Sequence, residues 1–470
     1  MPLPELTLRA RYVFPVDAPP IESGCVRILG DRISYVGPAD RTPDVELGNA
    51  AIVPGFVNAH THLELSGLRA KDVAAPDFAT WLRRVIEARR GQNAAQISHA
   101  IQRGIDASLA AGTTLVADIS SGGRSWKELV RSPLRATVFC ELLGLKSSRA
   151  EETVAAARQF LEWASESSNE TDDATRDAAT ELATNVVFPD GTTINPLCAS
   201  ARYLPNRRLQ PSLSPHAPYS THPQLFELAA SWSKATGAPI CTHLAETKEE
   251  LRLLNQRDGP LRDFLVSIGV WDNNWNPAGA EPIAYLEAPQ ASQADWLIAH
   301  GNYFSPDEIA TLSRYANAVH SGASTPHSSL SSPHLSLPRR AVAFCPRTHN
   351  YFGHNRHPYP QMLAASITVC LGTDSLASTP TLSILDEMRF MHRRELQLPG
   401  AKLLHMATLA GACALRREHN CGSLTVGKFA DLAVIRLPNS GTNDPVQLLL
   451  DSDEPVIRTI IGGRIVFQLR

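Results

Sequence analysis

The sequence predicts an α/β fold: a (β/α)8 TIM-like barrel joined to a small β-sandwich domain formed by both termini. Three observations predict it. Apolar runs of strand length alternate with helical patterns through the middle of the chain, which implies parallel strands with crossover helices. Short strands separated by turn residues occupy both ends. Several of the central runs also finish in histidine or aspartate, the arrangement of an active site at the C-terminal face of such a barrel. A length of 470 residues, 43% of them hydrophobic, suits one large barrel and one accessory unit. The expected division is 1–53 and 416–470 for the two parts of the sandwich, with 54–415 between them.

Taken in order, the N-terminal strands are Leu6 to Val13, Gly24 to Leu29, Arg32 to Val36 and Gly48 to Val53. The central strands are Ala51 to Asn58, Thr114 to Ile119, Ala136 to Leu142, Gln210 to Ser214, Pro239 to His243, Trp296 to His300, Val342 to Cys345 and Thr368 to Leu371. The last strands are Gly422 to Ile435 and Val456 to Phe467, with Gly462-Gly463 as a tight turn. Two polar stretches, Ser165 to Arg208 and His320 to Leu337, interrupt the rhythm and read as surface insertions. His320, His327 and His334 in the second are spaced by seven among serines and prolines, which fixes no metal geometry, so they read as solvated loop.

Composition removes several function classes. Formal net charge is −3, charged residues make up 19%, and no block of like charges occurs, so neither a nucleic acid nor a membrane surface is an expected partner. A small molecule is. The N-terminus lacks a basic segment followed by an apolar one, and no stretch approaches the roughly 18 apolar residues of a membrane span, so a cytoplasmic location is expected. Eight cysteines without a Cys-x-x-Cys pair give neither a disulfide framework nor a cysteine zinc site; Cys140, Cys241 and Cys370 lie inside apolar runs, as small hydrophobes do. A homodimer, the commonest assembly, is left open.

The strongest chemical signal is Val53-Pro54-Gly55-Phe56-Val57-Asn58-Ala59-His60-Thr61-His62-Leu63-Glu64. Residues two apart on a strand point the same way, so His60 and His62 can hold one ion at the strand's end. Alone, the pair would be as well explained by surface or core histidines. Downstream come Ser214-Pro215-His216, Thr242-His243-Leu244-Ala245-Glu246, Ala299-His300-Gly301 and Gly372-Thr373-Asp374, each at the end of a candidate strand. In isolation Asp374 could cap a helix and His300 could be a core histidine; together and in this order they converge on one centre.

This ordered set resembles the amidohydrolase superfamily, specifically the branch of triazine (ATZ/TRZ-type) hydrolases and of adenosine-type, cytosine and guanine deaminases. The resemblance spans nearly the whole chain. It implies His60, His62, His243 and Asp374 as ligands of one divalent metal, Glu246 as general acid/base, and His300 as a partner of the activated water or the substrate, with His216 in contact with substrate. Catalytic roles thus fall to Glu246, His300 and Asp374. Three neutral imidazoles and a carboxylate suit zinc first, with iron(II) and manganese(II) as alternatives, and lower the pKa of a bound water to about 7. Two-metal members use a bridging carboxylated lysine on the fourth strand; Pro211 to Ser220 contains none, and Lys146 reads as a loop residue.

Within the branch, His62-Leu63-Glu64-Leu65-Ser66, Asp77-Phe78-Ala79-Thr80-Trp81-Leu82 and Arg89-Arg90 are similar to S-adenosylhomocysteine, methylthioadenosine and aminodeoxyfutalosine deaminases, most of all the last. The implied reaction is attack of metal-activated water on an amino-bearing ring carbon, with release of ammonia. Glu64 is then a candidate acceptor for ribose hydroxyls, or a helix-start carboxylate, and Trp81 a cavity wall or a core aromatic. Arg347 either binds a substrate carboxylate or pairs with a protein one. The chain departs from the usual Cys-Pro-x-Ser-Asn of its relatives at Thr348-His349, which bears on the substrate. Rival readings are a triazine, guanine or cytosine hydrolase and a barrel that serves only as a scaffold.

Overall fold

The computed structural model describes residues 5–169, 186–187, 193–194, 204, 207–316, 339–439 and 442–469. His320, His327, His334 and most of the first insertion lie outside them.

The eight central strands all form. They are β1 (Phe56–Thr61), β2 (Thr113–Ser121), β3 (Arg135–Leu142), β4 (Leu209–Pro215), β5 (Ile240–Leu244), β6 (Trp296–His300), β7 (Arg340–Phe344) and β8 (Thr368–Leu371). They fall into two four-stranded sheets, β4-β3-β2-β1 and β5-β6-β7-β8, paired in parallel throughout. Almost every residue in them is buried, as strands covered on both sides must be. The sheets touch at both seams. At one, Thr61 bridges Asp374, and the amides of Thr373 and Asp374 donate to the His60 carbonyl at 3.1 and 2.9 Å. At the other, the His243 amide donates to the His216 carbonyl at 2.8 Å. Gly372 makes the first seam possible, since a Cβ there would sit 2.8 Å from the Cβ of His60.

The expected first central strand, Ala51 to Asn58, is in fact two. Ala50–Pro54 pairs with Leu432–Arg436 in a terminal sheet, and β1 begins only at Phe56. The break is Gly55, where a Cβ would collide with the Thr114 side chain. An apolar run that passes from one sheet to another carries no change of hydrophobicity at the boundary, so its composition hides the break.

Terminal residues form two further sheets. One joins Glu5–Arg9, Gly24–Leu29, Arg32–Pro38 and Val45–Glu46. The other has six strands drawn from both ends of the chain: Tyr12–Val13, Ile21–Glu22, Ala50–Pro54, Leu432–Arg436, Val456–Ile461 and Arg464–Gln468. Leu8, Val26, Ile28, Ile52, Val434 and Ile460 from the two sheets share one apolar cluster. Arg135 of β3 ties this unit to the central strands: it reaches Asp431 with two hydrogen bonds, at 2.6 and 3.2 Å, and lies over the Phe429 ring.

Three helices position the site. The first, α1 (Phe78–Arg90), starts at Asp77, whose side chain accepts the Thr80 amide, and buries Phe78, Trp81 and Val85 at helical spacing. The second, α2 (Lys248–Gln256), is capped by Thr247; the third, α3 (Pro260–Ser267), has proline in its first turn and buries Leu261, Phe264 and Leu265. Among the described residues no helix is long and apolar enough to cross a membrane.

Candidate metal centre and substrate cavity

The C-terminal ends of β1, β5, β6 and β8 bring His60, His62, His243, His300 and Asp374 together. The ring nitrogens of His60, His243 and His300 lie within 4.8 Å of one another, and so do the donor atoms of His60, His62 and Asp374. Asp374 Oδ1 is 3.7 Å from His62 Nε2 and 4.0 Å from His60 Nε2, and the Nε2 atoms of His62 and His243 are 3.4 Å apart. Ligands around a tetrahedral ion at 2.0–2.2 Å stand roughly 3.4 Å apart, close to the 3.4, 3.7 and 4.0 Å separations found here.

Polar satisfaction points the same way. His60 is fully buried, and neither ring nitrogen has a hydrogen-bond partner, an expensive state for a side chain whose only use is packing. His243 Nδ1 donates to the His216 carbonyl at 2.9 Å, which fixes the tautomer and leaves Nε2 as a lone-pair donor. Burial, reinforced by neighbouring imidazoles, holds His60, His62 and His300 well below the usual histidine range; burial likewise takes His243 down to about 3. All are neutral, the form that binds metal. The Asp374 carboxyl is raised to about 7 by burial, opposed by hydrogen bonds from Ser378 Oγ and the Ser375 amide. Zinc, or a similar divalent ion, fits these residues.

Glu246 follows β5 and is held from behind. Its amide and that of Ala245 donate to the Glu250 carboxylate of α2, at 2.8 and 3.0 Å, while Asn302 donates to its carbonyl. Ala245, His300 and Asp374 all have positive φ (52°, 71° and 60°). Three non-glycine residues in that region at one site mark backbone bent to aim side chains. Glu246 Oε1 is 3.5 Å from His300 Nε2, and burial, then the nearby Asp374, pushes its carboxyl far above the usual range.

The Amidohydrolase family model matches residues 51–466. The chain belongs to the amidohydrolase family. It is 27% identical over 379 residues to the aminodeoxyfutalosine deaminase of Deinococcus radiodurans, covering 78% of this chain and 75% of that one. It is 24% identical over 481 residues to the 5-methylthioadenosine/S-adenosylhomocysteine deaminase of Moorella thermoacetica, covering 97% and 92%. Its fold matches that of a mutant atrazine chlorohydrolase of Arthrobacter aurescens complexed with zinc and atraton, with TM-score 0.70, 20% identity and coverage of 98% and 95%.

In this amidohydrolase the histidine and aspartate cluster opens on a cavity of about 670 Å³. Phe78, Trp81 and Val85 of α1 face it together with Phe264 and Leu265 of α3, and Lys146 and Arg149 also line it. Trp81 is a held wall: its indole donates to the Ala377 carbonyl at 3.1 Å and it stacks on Phe78. His216 lines the cavity beside His243, ring centroids 4.8 Å apart, and burial lowers it to about 4. Glu64 also lines it, buried, pushed up to about 7 by burial against the pull of Arg89, which it meets at 2.7 Å.

Arg347 does not reach the cavity. Its guanidinium is consumed by Glu387 at 2.7 Å, by the Thr381 side chain and by the carbonyls of Thr381 and Ser383. Of its two sequence readings the structure takes the protein pair, because the helix after β7 turns it toward Ile384–Arg394. Arg347→Ala is therefore expected to leave KM unchanged and to lower unfolding stability by roughly 3 kcal/mol through the stranded buried Glu387. Steady-state kinetics beside urea denaturation reads both; a raised KM at unchanged stability would reverse the assignment. Thr348 meets Ser378 Oγ at 2.9 Å, next to Asp374, whereas His349, His354 and His357 line a separate hollow of about 250 Å³. His357 Nε2 donates to the His300 carbonyl at 2.8 Å, and His349 Nδ1 meets Asn302 Oδ1 at 3.0 Å.

Sequence reasoning passed over Glu141, Glu250, Asn302 and Ser378. Glu141 was the most findable, a carboxylate near the end of the third strand. Glu250 stands beside Lys248 and Glu249 at a helix start, where charges are common, and its role is visible only through its two backbone partners.

Proposed function

We propose that this amidohydrolase is a metal-dependent hydrolytic deaminase of an adenine-containing nucleoside, of the aminodeoxyfutalosine, S-adenosylhomocysteine or methylthioadenosine kind. Family membership makes it a hydrolase of carbon–nitrogen bonds. The observation that carries the finer reading is the buried Glu246 carboxyl, 3.5 Å from His300 and facing the same cavity as the histidine cluster. A carboxyl kept protonated by burial can donate to a ring nitrogen, which is what loss of ammonia from an aminated heterocycle requires. The names of the relatives support the same class.

His60, His62, His243 and Asp374 would hold the ion, proposed to be zinc, which supplies Lewis acidity and an activated water when bound. In the overall change, the ring carbon gains the oxygen of water and loses its amino group. One water proton ends on the ring nitrogen and the other on the departing ammonia. Glu246 gives its proton to the ring nitrogen and takes a replacement from the water, Asp374 receives the other water proton and passes it to the departing amino group, and His300 stabilises the charge that develops beside it. His216 contacts the ring, Glu64 the sugar, and Trp81 closes one side. The apolar wall suits an extended substrate with an apolar stem, and Lys146 and Arg149, the second paired with exposed Glu152 at 3.0 Å, add cationic lining for a polar end.

The architecture that serves this chemistry is read as a closed eight-stranded barrel, 54–415, with the two terminal sheets, 1–53 and 416–470, as a β-sandwich. The test is ammonia release by zinc-loaded protein from adenosine, S-adenosylhomocysteine, methylthioadenosine, aminodeoxyfutalosine, guanine, cytosine and a chloro-s-triazine. Metal-dependent release favouring one adenine compound is expected. Silence on every adenine compound, with zinc bound, would discard the proposal.

A further inference from the structure

Beside the metal cluster, the ends of β1, β2 and β3 place two carboxylates around one serine. Ser121, the last residue of β2, is in register with Glu141 of β3, and its hydroxyl donates to Glu141 Oε2 at 2.9 Å. The Ser121 amide is 3.4 Å from Glu64 Oε1, which also takes the Arg89 guanidinium at 2.7 Å. Glu64 itself sits in the turn after β1, which is fixed by the Leu63 amide donating to Asp118 Oδ1 at 2.8 Å. One oxygen of each carboxylate is thereby used and the other is not. Glu64 Oε2 is buried without a hydrogen-bond partner. Glu141 Oε1 has His216 Nε2 at 3.8 Å, beyond hydrogen-bond range, and no hydrogen bond among the described residues. The Glu141 side chain is 8% exposed and the Glu64 side chain 4%, and both line the cavity.

Acceptors this deeply buried require donors. Arg89 already balances one of the two charges, so the pair calls for hydrogen-bond donors more than for a cation. The platform also lies at a telling place. His216 separates it from the centre, with its ring 4.8 Å from that of His243 on one side and its Nε2 3.8 Å from Glu141 on the other. A heterocycle held at His243, Glu246 and His216 would carry its sugar toward Glu141. We infer that Glu64 and Glu141, bridged by Ser121, form a two-carboxylate clamp for the vicinal diol of a ribose, and that Glu141 sets the preference for ribonucleosides. This rests on the nucleoside reading above.

The experiment uses zinc-loaded E246Q protein, in which binding is separated from turnover, and the same protein with E141Q added. Each is titrated calorimetrically with adenosine, 2′-deoxyadenosine, 3′-deoxyadenosine and adenine. Glutamine preserves size and the Ser121 contact. With Glu141 intact, adenosine is expected to bind about 10- to 100-fold more tightly than either deoxy compound, the worth of a hydrogen bond to a charged group. E141Q narrows that gap toward parity and leaves adenine unchanged. A gap that survives E141Q overturns the clamp, and so does equal weakening of adenine and adenosine, which would mean that Glu141 acts through His216. Binding of neither adenosine nor adenine removes the nucleoside reading itself, and this inference with it.

Discussion

Glu246→Gln is expected to cut ammonia release by a factor of about 10²–10⁴ while zinc stays bound. Glutamine fills the same space between His300 and the Asp374 side of the cavity, and the backbone anchors to Glu250 and Asn302 involve the main chain of residue 246, so they survive the exchange. What disappears is the ability to give a proton to the ring nitrogen and to be reprotonated from water. Because the carboxyl is buried and its pKa raised, no solvent group can easily substitute. The readouts are steady-state turnover and metal content on one preparation. Lost turnover at full zinc supports the acid/base role. Lost zinc as well would place Glu246 among the ligands instead, and retained turnover would exclude it from the chemistry.

The residues behind that prediction differ in how far the sequence exposes them. Ligand candidates are legible because they combine two patterns at once: a strand-length apolar run and a polar residue at its end. His60 and His62 add the spacing of two that points side chains to one face. The strand count is legible for the same reason, whereas the split at Gly55 is not, since buried strands on either side of it are equally apolar. Arg347 shows the other limit. Its neighbours Cys345 and Pro346 mark the right loop, but the direction of a side chain from a short helix depends on Glu387, Thr381 and Ser383, some forty residues on. Glu250 and Asn302 act on the backbone of Ala245 and Glu246, and such contacts leave no spacing rule in the sequence. The register between Ser121 and Glu141 is likewise a property of strand pairing, so the carboxylate pair emerges only once β2 and β3 are laid side by side.

The other large effect belongs to His60. His60→Ala is expected to bring both activity and zinc content to background, where the parent retains about one ion per chain after dialysis, as a site with a single set of four protein ligands should. His60 has the most to lose: its ring lies within ligand distance of His243 and His300 and also of His62 and Asp374, so it belongs to both possible groupings of donors. Its removal also leaves Asp374, held by Ser375 and Ser378, facing neutral imidazoles without a cation. A chelator separates metal loss from misfolding. Parent protein stripped by chelation should lose activity and regain it on adding zinc, whereas the variant should not regain it at the same zinc concentration, although its urea transition remains cooperative. Lys146 gives the control. Its ammonium donates to the Gly269 carbonyl at 3.1 Å, so Lys146→Ala should keep the parent's metal content. Two ions per chain in the parent, with one lost on Lys146→Ala, would overturn the single-metal centre in favour of a lysine-bridged pair.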